Sequence, residues 1–172
     1  EGLPTAPGGW FTEATEMVRD AGGFVIADEV QAGFARSGNW WGYDTSGFTP
    51  DIVCMGKPMG NGLPVSGMAA SHDMITSFRG KQRYFNTFAA SPLQAAAGMA
   101  VIDEITDRDL VASVASVGAA LKTSLLALQA SHARMGDVRG HGLFIGIDWV
   151  VPGPNEPDVD GAAAMVEALK AR

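Results

Sequence analysis

Apolar positions Phe11, Ala14, Met17, Val18 and Ala21 recur at helical spacing, and the pair Gly22-Gly23 closes that run. FVIA (24–27) follows at once, a short continuous apolar stretch that stops at Asp28-Glu29. A helix, a glycine turn, a buried strand and acidic residues at its C-terminal end make an α/β unit. Residues 32–50 read as a long loop rich in glycine and aromatics. DIVCMG (51–56) predicts a second buried strand, ending at Lys57 and the loop PMGNGLP, and VSGMAAS (65–71) a third strand of small residues.

The second half turns helical. Ser91-Pro92-Leu93-Gln94 has the form of a capping box with proline at the first helical position, so a helix is expected from there to about Ile105. Beyond Leu110, apolar positions 114, 117, 121, 125 and 128 fall on one helical face. That stripe reads as an ordinary packed helix, with coiled-coil self-association as the alternative. VRGHGLFIGIDWV (138–150) predicts one glycine-bounded strand, and residues 160–170 a last helix. The clustered Gly136, Gly140 and Gly142 suit a domain break between the long helix and that strand.

Composition narrows the class. Of 172 residues, 47% are hydrophobic and 18% charged, the balance of a packed α/β core rather than a disordered tail. Twelve basic against nineteen acidic residues leave a net charge of −7, which argues against a nucleic-acid partner that needs a basic stripe. One cysteine excludes a disulfide framework and a four-cysteine zinc site. No unbroken apolar run approaches the roughly 20 residues of a membrane span. EGLPTAPGGW carries neither a basic patch nor an apolar signal segment, and the expected location is cytoplasmic.

Most common chemical motifs are missing. Lys57 follows a glycine, yet neither the hydroxyl residue nor the spaced glycine of a phosphate-binding Walker loop accompanies it. Gly60/Gly62 and Gly140/Gly142 lack the third glycine of a dinucleotide fingerprint. His72, His132 and His141 lie far apart with no partner at ligand spacing, so no metal is expected. Cys54 reads as inert strand core, and no G-x-S-x-G elbow exists.

Two residues remain. Asp28 and Lys57 each sit where a buried strand gives way to a loop, the edge at which open α/β sheets bind ligands. Among the four lysines, Lys81, Lys122 and Lys170 stand in polar or helical-surface settings. Desolvation at a strand end would make Lys57 a nucleophilic amine, whereas a solvated loop lysine is the plainer alternative. Asp28 taken alone is equally ambiguous, since Asp-Glu after a strand is common turn chemistry.

The combined spacing is more specific. FVIADEVQAGFARSG, then 12 residues, then DIVCMGKPMGNGLP resembles the signature of the class III aminotransferases, which use pyridoxal phosphate (PLP). RYFNTFAASPLQAAAGMAVIDEI and GDVRGHGLFIG are similar to further segments of that family, in the same order, so the resemblance spans residues 1–151. WWGY, GKPMGNGLP and YFNTF look closest to a branch that holds both transaminases and an amino-alcohol phosphate lyase.

This resemblance implies an α/β fold: part of a fold type I PLP-dependent transferase large domain, residues 1–133 with the long helix, and the start of a C-terminal small domain, residues 134–172. It also implies roles. Lys57 matches the lysine that forms the Schiff base with the cofactor, and Asp28 the carboxylate paired with the pyridine nitrogen. Val30 matches the apolar residue on the ring face, and Gln31 the amide near the phenolic oxygen. Thr87 matches the threonine that reaches the phosphate of the other subunit's cofactor, which implies a homodimer with shared sites. The implied partners are a small-molecule amino donor and an oxo acceptor.

The pattern departs from the family in three ways. Ala35 stands where the family has a glycine, and Ala89-Ala90 replace a Gly-Gly pair; a methyl group at a position needing positive φ costs stability. Family members are more than twice as long, so the chain reads as a central piece, expected to be inactive alone. The rival expectations are a phospho-lyase using the same lysine and a non-catalytic fragment that only binds or self-associates.

Overall fold

The computed structural model describes Leu3 and residues 5–171. Helix α1 spans Trp10–Asp20, with Glu13 in its first turn and Arg19 in its last, each sign suited to the helix dipole. It ends in paired reverse hydrogen bonds: Gly23 N–H donates to Val18 O (2.9 Å) and Gly22 N–H to Arg19 O (2.8 Å). Gly22 adopts φ 77°, the left-handed turn that glycine enters without steric cost.

Strand β1 (Ile26–Asp28) runs parallel to β2 (Ile52–Met55), pairing Ile26 with Ile52, Ala27 with Val53 and Asp28 with Cys54. β3 (Gly67–Ala70) pairs antiparallel to β2, giving a mixed sheet in the order β1-β2-β3. Asp51 secures the N-terminal end of the parallel pair. Its carboxylate accepts Val25 N–H (2.8 Å) and meets the Arg19 guanidinium at 3.0 Å. Val25 N–H first and Arg19 second hold the Asp51 carboxyl below its usual range. Among the described residues β1 has no partner on its outer side.

Helix α2 (His72–Lys81) was not anticipated. Its apolar periodicity is weak and Gly80 lies inside it, but Ser71 Oγ caps it by accepting Met74 N–H at 3.3 Å. Helix α3 (Pro92–Asp107) starts where expected and runs two residues past Ile105. The predicted capping box does not form. Ser91 makes no side-chain cap bond, and Gln94 Nε2 donates instead to Pro64 O at 2.8 Å.

Helix α4 (Leu110–Gln129) corrects two expectations. Its apolar stripe packs only in part: Val114 and Leu125 are half-buried, whereas Val117, Leu121 and Leu128 are exposed. Contact with the neighbouring hairpin runs through Gly118, where a β-carbon would overlap the Gly142 backbone, and through Lys122, whose Nζ donates to Gly140 O (3.0 Å). Although broken by Ser, Thr and Lys122, α4 is long and apolar enough to cross a membrane by length and composition, with a mean hydropathy of 1.6.

The single strand expected over 138–150 is a hairpin. β4 (Met135–His141) and β5 (Phe144–Trp149) pair antiparallel around a two-residue turn, Gly142-Leu143, with Gly142 at φ 55°. Glycine at a positive-φ turn position splits the run into two strands. α5 (Val159–Lys170) follows, its first turn capped by Asp158, which accepts Gly161 N–H at 2.9 Å.

The core gathers around Phe34, Ala35 and Ile105, with Trp40, Trp41, Met55, Met59, Val101, Leu110 and Val111 against them. It therefore joins the loop after β1, the end of β2 and helices α3 and α4. That packing fixes the loops at the carboxyl ends of β1 and β2.

Candidate active site

The carboxyl ends of two adjacent parallel strands bring four expected residues together. Asp28 closes β1 opposite Cys54, and Lys57 leaves β2 three positions later. Lys57 opens a short 3-10 turn, Lys57–Gly60, with its backbone at φ 20°, the margin of a region that non-glycine residues seldom occupy. Its Nζ donates to Gln31 Oε1 at 2.9 Å, across 26 positions of sequence. Asp28 Oδ1 accepts Val30 N–H at 3.1 Å. A β-carbon on Gly56 would stand 3.3 Å from Val30 Cγ1, so the backbone before Lys57 lies directly against the Val30 side chain.

Lys57 and Asp28 are both exposed, while Val30 and Gln31 are half-buried. Lys57 matches the plainer of the two alternatives, a solvated loop lysine, and what marks it out is its backbone conformation and its amide partner.

Sequence reasoning passed over Glu29, the most buried acid in the chain's described core at 3% exposure. Its carboxylate accepts two backbone N–H groups, Gly42 (2.7 Å) through Oε2 and Tyr43 (2.8 Å) through Oε1. Those N–H groups open a 3-10 turn, Gly42–Thr45, whose first donors have no partner within the turn. Glycine at 42 permits this approach, since a β-carbon there would sit 2.5 Å from Ala32 Cβ. Aromatic contacts continue outward from it: Phe34 packs edge-on to Trp41, Trp41 lies parallel to Tyr43, and Phe48 stacks on Phe11 of α1. Burial, followed by the nearby charges of Asp44 and Glu29, raises the Tyr43 phenol above its usual range. The signal in the sequence was an acid directly after a strand, followed thirteen residues later by glycine, and that pattern is too common to single it out.

Thr87 lies elsewhere. It occupies an exposed turn in which Asn86 Oδ1 accepts Phe88 N–H at 2.9 Å, and no described hydrogen bond joins it to Lys57, Gln31 or Asp28. The flanking Phe85 and Phe88 are 85% and 80% exposed, which makes this turn an apolar surface rather than part of the same cluster. The glycine replacements do fall in left-handed backbone: Ala35 has φ 66° and Ala90 φ 56°, with Ala89 outside that group.

An open cleft of about 820 Å³ borders Asp28 and is lined further by Ser37, Tyr43, Lys122, Arg139 and His141. Lys57 and Gln31 do not line it, so the cleft meets the strand-end cluster only at Asp28. Arg139 is committed to structure. It pairs with Asp148 (2.7 Å) and Asp137 (3.2 Å) and also donates to Leu3 O. The hydrogen bond from Arg139 holds the Asp148 carboxyl below its usual range.

The donor set fits a pyridoxal cofactor. A primary amine for an aldehyde carbon, a carboxylate for a ring nitrogen, branched methyl groups for a ring face and an amide stand on two loops at one sheet edge.

Known proteins point the same way. The family described as aminotransferase class-III matches residues 1–171. Ethanolamine-phosphate phospho-lyase homolog 1 of Caenorhabditis elegans is 41% identical over 95% of this chain and 36% of its own length. The mitochondrial alanine–glyoxylate aminotransferase 2 homolog 2 of Arabidopsis thaliana is 42% identical over 83% of this chain and 30% of its own. Among solved structures, an Arthrobacter phospholyase in complex with phosphoethanolamine superposes with a TM-score of 0.88 at 39% identity, covering 92% of this chain and 38% of that one. A Bacillus anthracis aminotransferase superposes with a TM-score of 0.91 at 31% identity, covering 99% and 40%. The chain thus spans about a third of the length of the curated relatives it matches. It belongs to the class III aminotransferases, a family of pyridoxal-phosphate-dependent enzymes with the fold type I α/β architecture.

Proposed function

We propose that the protein is a transaminase, moving an amino group from an amino acid or amine to a 2-oxo acid or aldehyde, with Lys57 as its cofactor lysine. One observation carries the reading: Lys57 Nζ is held by Gln31 Oε1 at 2.9 Å beside Asp28, at the carboxyl ends of two parallel strands. When bound, the cofactor supplies an electron sink for the pair left behind when a proton leaves the donor's α-carbon.

The chain's own residues do the rest. Asp28 places a negative charge where a protonated ring nitrogen is stabilised. Val30 offers its methyl groups to one ring face, and Gln31 orients the Lys57 amine. Lys57 would hold the cofactor's aldehyde carbon through Nζ, and its free amine would be the base that takes up the donor's α-proton.

A second reading, amino-alcohol phosphate elimination with the same lysine, is favoured by the likeness to a phospho-lyase homolog and to a structure holding phosphoethanolamine. Need for an oxo acceptor separates the two. A transaminase stalls after one half-reaction without it, whereas a lyase continues to release phosphate. Thr87 belongs to this proposal as a contact to the partner subunit's cofactor phosphate in a homodimer, as does the division into a large domain (1–133) and a small one (134–172). The cytoplasmic location is part of it too, and cell fractionation reads it out.

Borohydride treatment of the whole protein loaded with cofactor should fix the label on Lys57, and Lys57→Ala should abolish both label and turnover. Label or turnover surviving in that variant refutes the assignment.

A further inference from the structure

Glu29 uses every polar group it has on a different segment. Its N–H donates to Cys54 O (2.9 Å), which carries the parallel ladder one residue past β1. Its carbonyl accepts Gly33 N–H (3.1 Å), closing the turn that contains Val30 and Gln31. Its carboxylate grips the N–H groups of Gly42 and Tyr43. A side chain 3% exposed, held by two backbone donors, leaves the residue little freedom to rotate.

That matters because the next peptide unit is shared with Asp28. The Glu29 carbonyl and the Val30 N–H belong to one rigid plane. Its oxygen end is fixed by Gly33, and its N–H end donates to Asp28 Oδ1 at 3.1 Å. Any rotation about Glu29 therefore turns the donor that aims the Asp28 carboxylate. The contact is not an ion pair, since none of the described salt bridges involves Glu29, so its directionality comes from the two hydrogen bonds alone.

We infer that Glu29 is a positioning residue for Asp28: its buried carboxylate, clamped by Gly42 and Tyr43, sets the peptide plane that orients the Asp28 carboxylate at the strand end. This rests on the reading of Lys57 and Asp28 as cofactor residues.

The test follows the visible absorption of pyridoxal phosphate bound to the whole protein as pH is varied, together with thermal unfolding. An amide at 29 accepts one of the two N–H groups and sets its own NH2 against the other. Glu29→Gln is therefore expected to move the absorption midpoint by about half a pH unit or more, in the same direction as Asp28→Asn. Because Glu29 acts through Asp28, the double variant should match Asp28→Asn and not add to it.

A midpoint equal to wild type in Glu29→Gln, with only the unfolding temperature lowered, overturns the inference and leaves Glu29 a loop cap. Additive shifts overturn it as well. Should Glu29→Gln not fold, Glu29→Asp, which keeps the charge but is one methylene too short to reach both donors, is read the same way. Absence of a borohydride-fixed cofactor on Lys57 in the unmutated protein would instead refute the proposed function, so the two failures are distinct.

Discussion

Ala35 and Ala90 occupy the same strained backbone region in opposite surroundings, and that contrast can be measured. Ala35 has φ 66° and Ala90 φ 56°. For an L-residue with a β-carbon the left-handed region costs roughly 1–2 kcal/mol. Glycine removes that cost but makes the unfolded chain more flexible, which takes back roughly 0.4–1 kcal/mol. Ala90 is exposed, so its methyl group contributes little burial, and Ala90→Gly should stabilise by about 0.5–1 kcal/mol. Ala35 is 3% exposed and packs with Phe34 and Ile105. Deleting its methyl group sacrifices about 0.8 kcal/mol of burial, so Ala35→Gly should come out near neutral. Denaturant midpoints of the whole protein and the two variants, measured side by side, give the comparison. Destabilisation by Ala90→Gly, or a larger gain from Ala35→Gly than from Ala90→Gly, would refute the balance of strain and burial argued here.

Acid should weaken the fold at two places. Asp51 and Asp148 both have folded-state values depressed below their ordinary 3.8, so their contribution is fully present above that pH and is lost as pH falls through the lowered values. Asp51→Asn should flatten the acid limb of a stability–pH profile measured by urea unfolding, and an unchanged limb counts against the Val25 and Arg19 contacts. Gly118→Ala drives a β-carbon into the Gly142 backbone and should cost about 1–3 kcal/mol in the same assay, whereas stability equal to wild type would show the helix and hairpin to be further apart. For Thr87, hybrid dimers of Lys57→Ala and Thr87→Ala subunits should contain one site with both defects and one with neither. Cofactor titration of the hybrid reads this out, and if every site carries a single defect, Thr87 does not act across an interface.

Much of the architecture was legible because it is local. Gly22-Gly23 after an amphipathic run ends α1, and continuous apolar runs closed by Asp28 and Lys57 mark the two parallel strands. Their expected burial is not met: in β1 only Ala27 is buried, and β2 is half-buried throughout. Asp28 and Lys57 were legible as residues at strand ends, whereas Val30 and Gln31, and the role of each of the four, came only from the family resemblance. Hydrogen bonds between distant segments were not legible. Gln94 does not close the predicted capping box, and its Nε2 donates instead to Pro64 O, thirty positions away. The run 138–150 became two strands at Gly142, whose positive φ makes the turn, and the packing of that turn against Gly118 of α4 had no sign in the sequence. Glu29 gave no sign of its role, since a carboxylate has no sequence signature for backbone donors thirteen and fourteen positions on. Local propensity and periodicity were written in the chain itself, whereas the partner of each buried polar group was decided only when the tertiary fold brought a particular donor or acceptor within 3 Å.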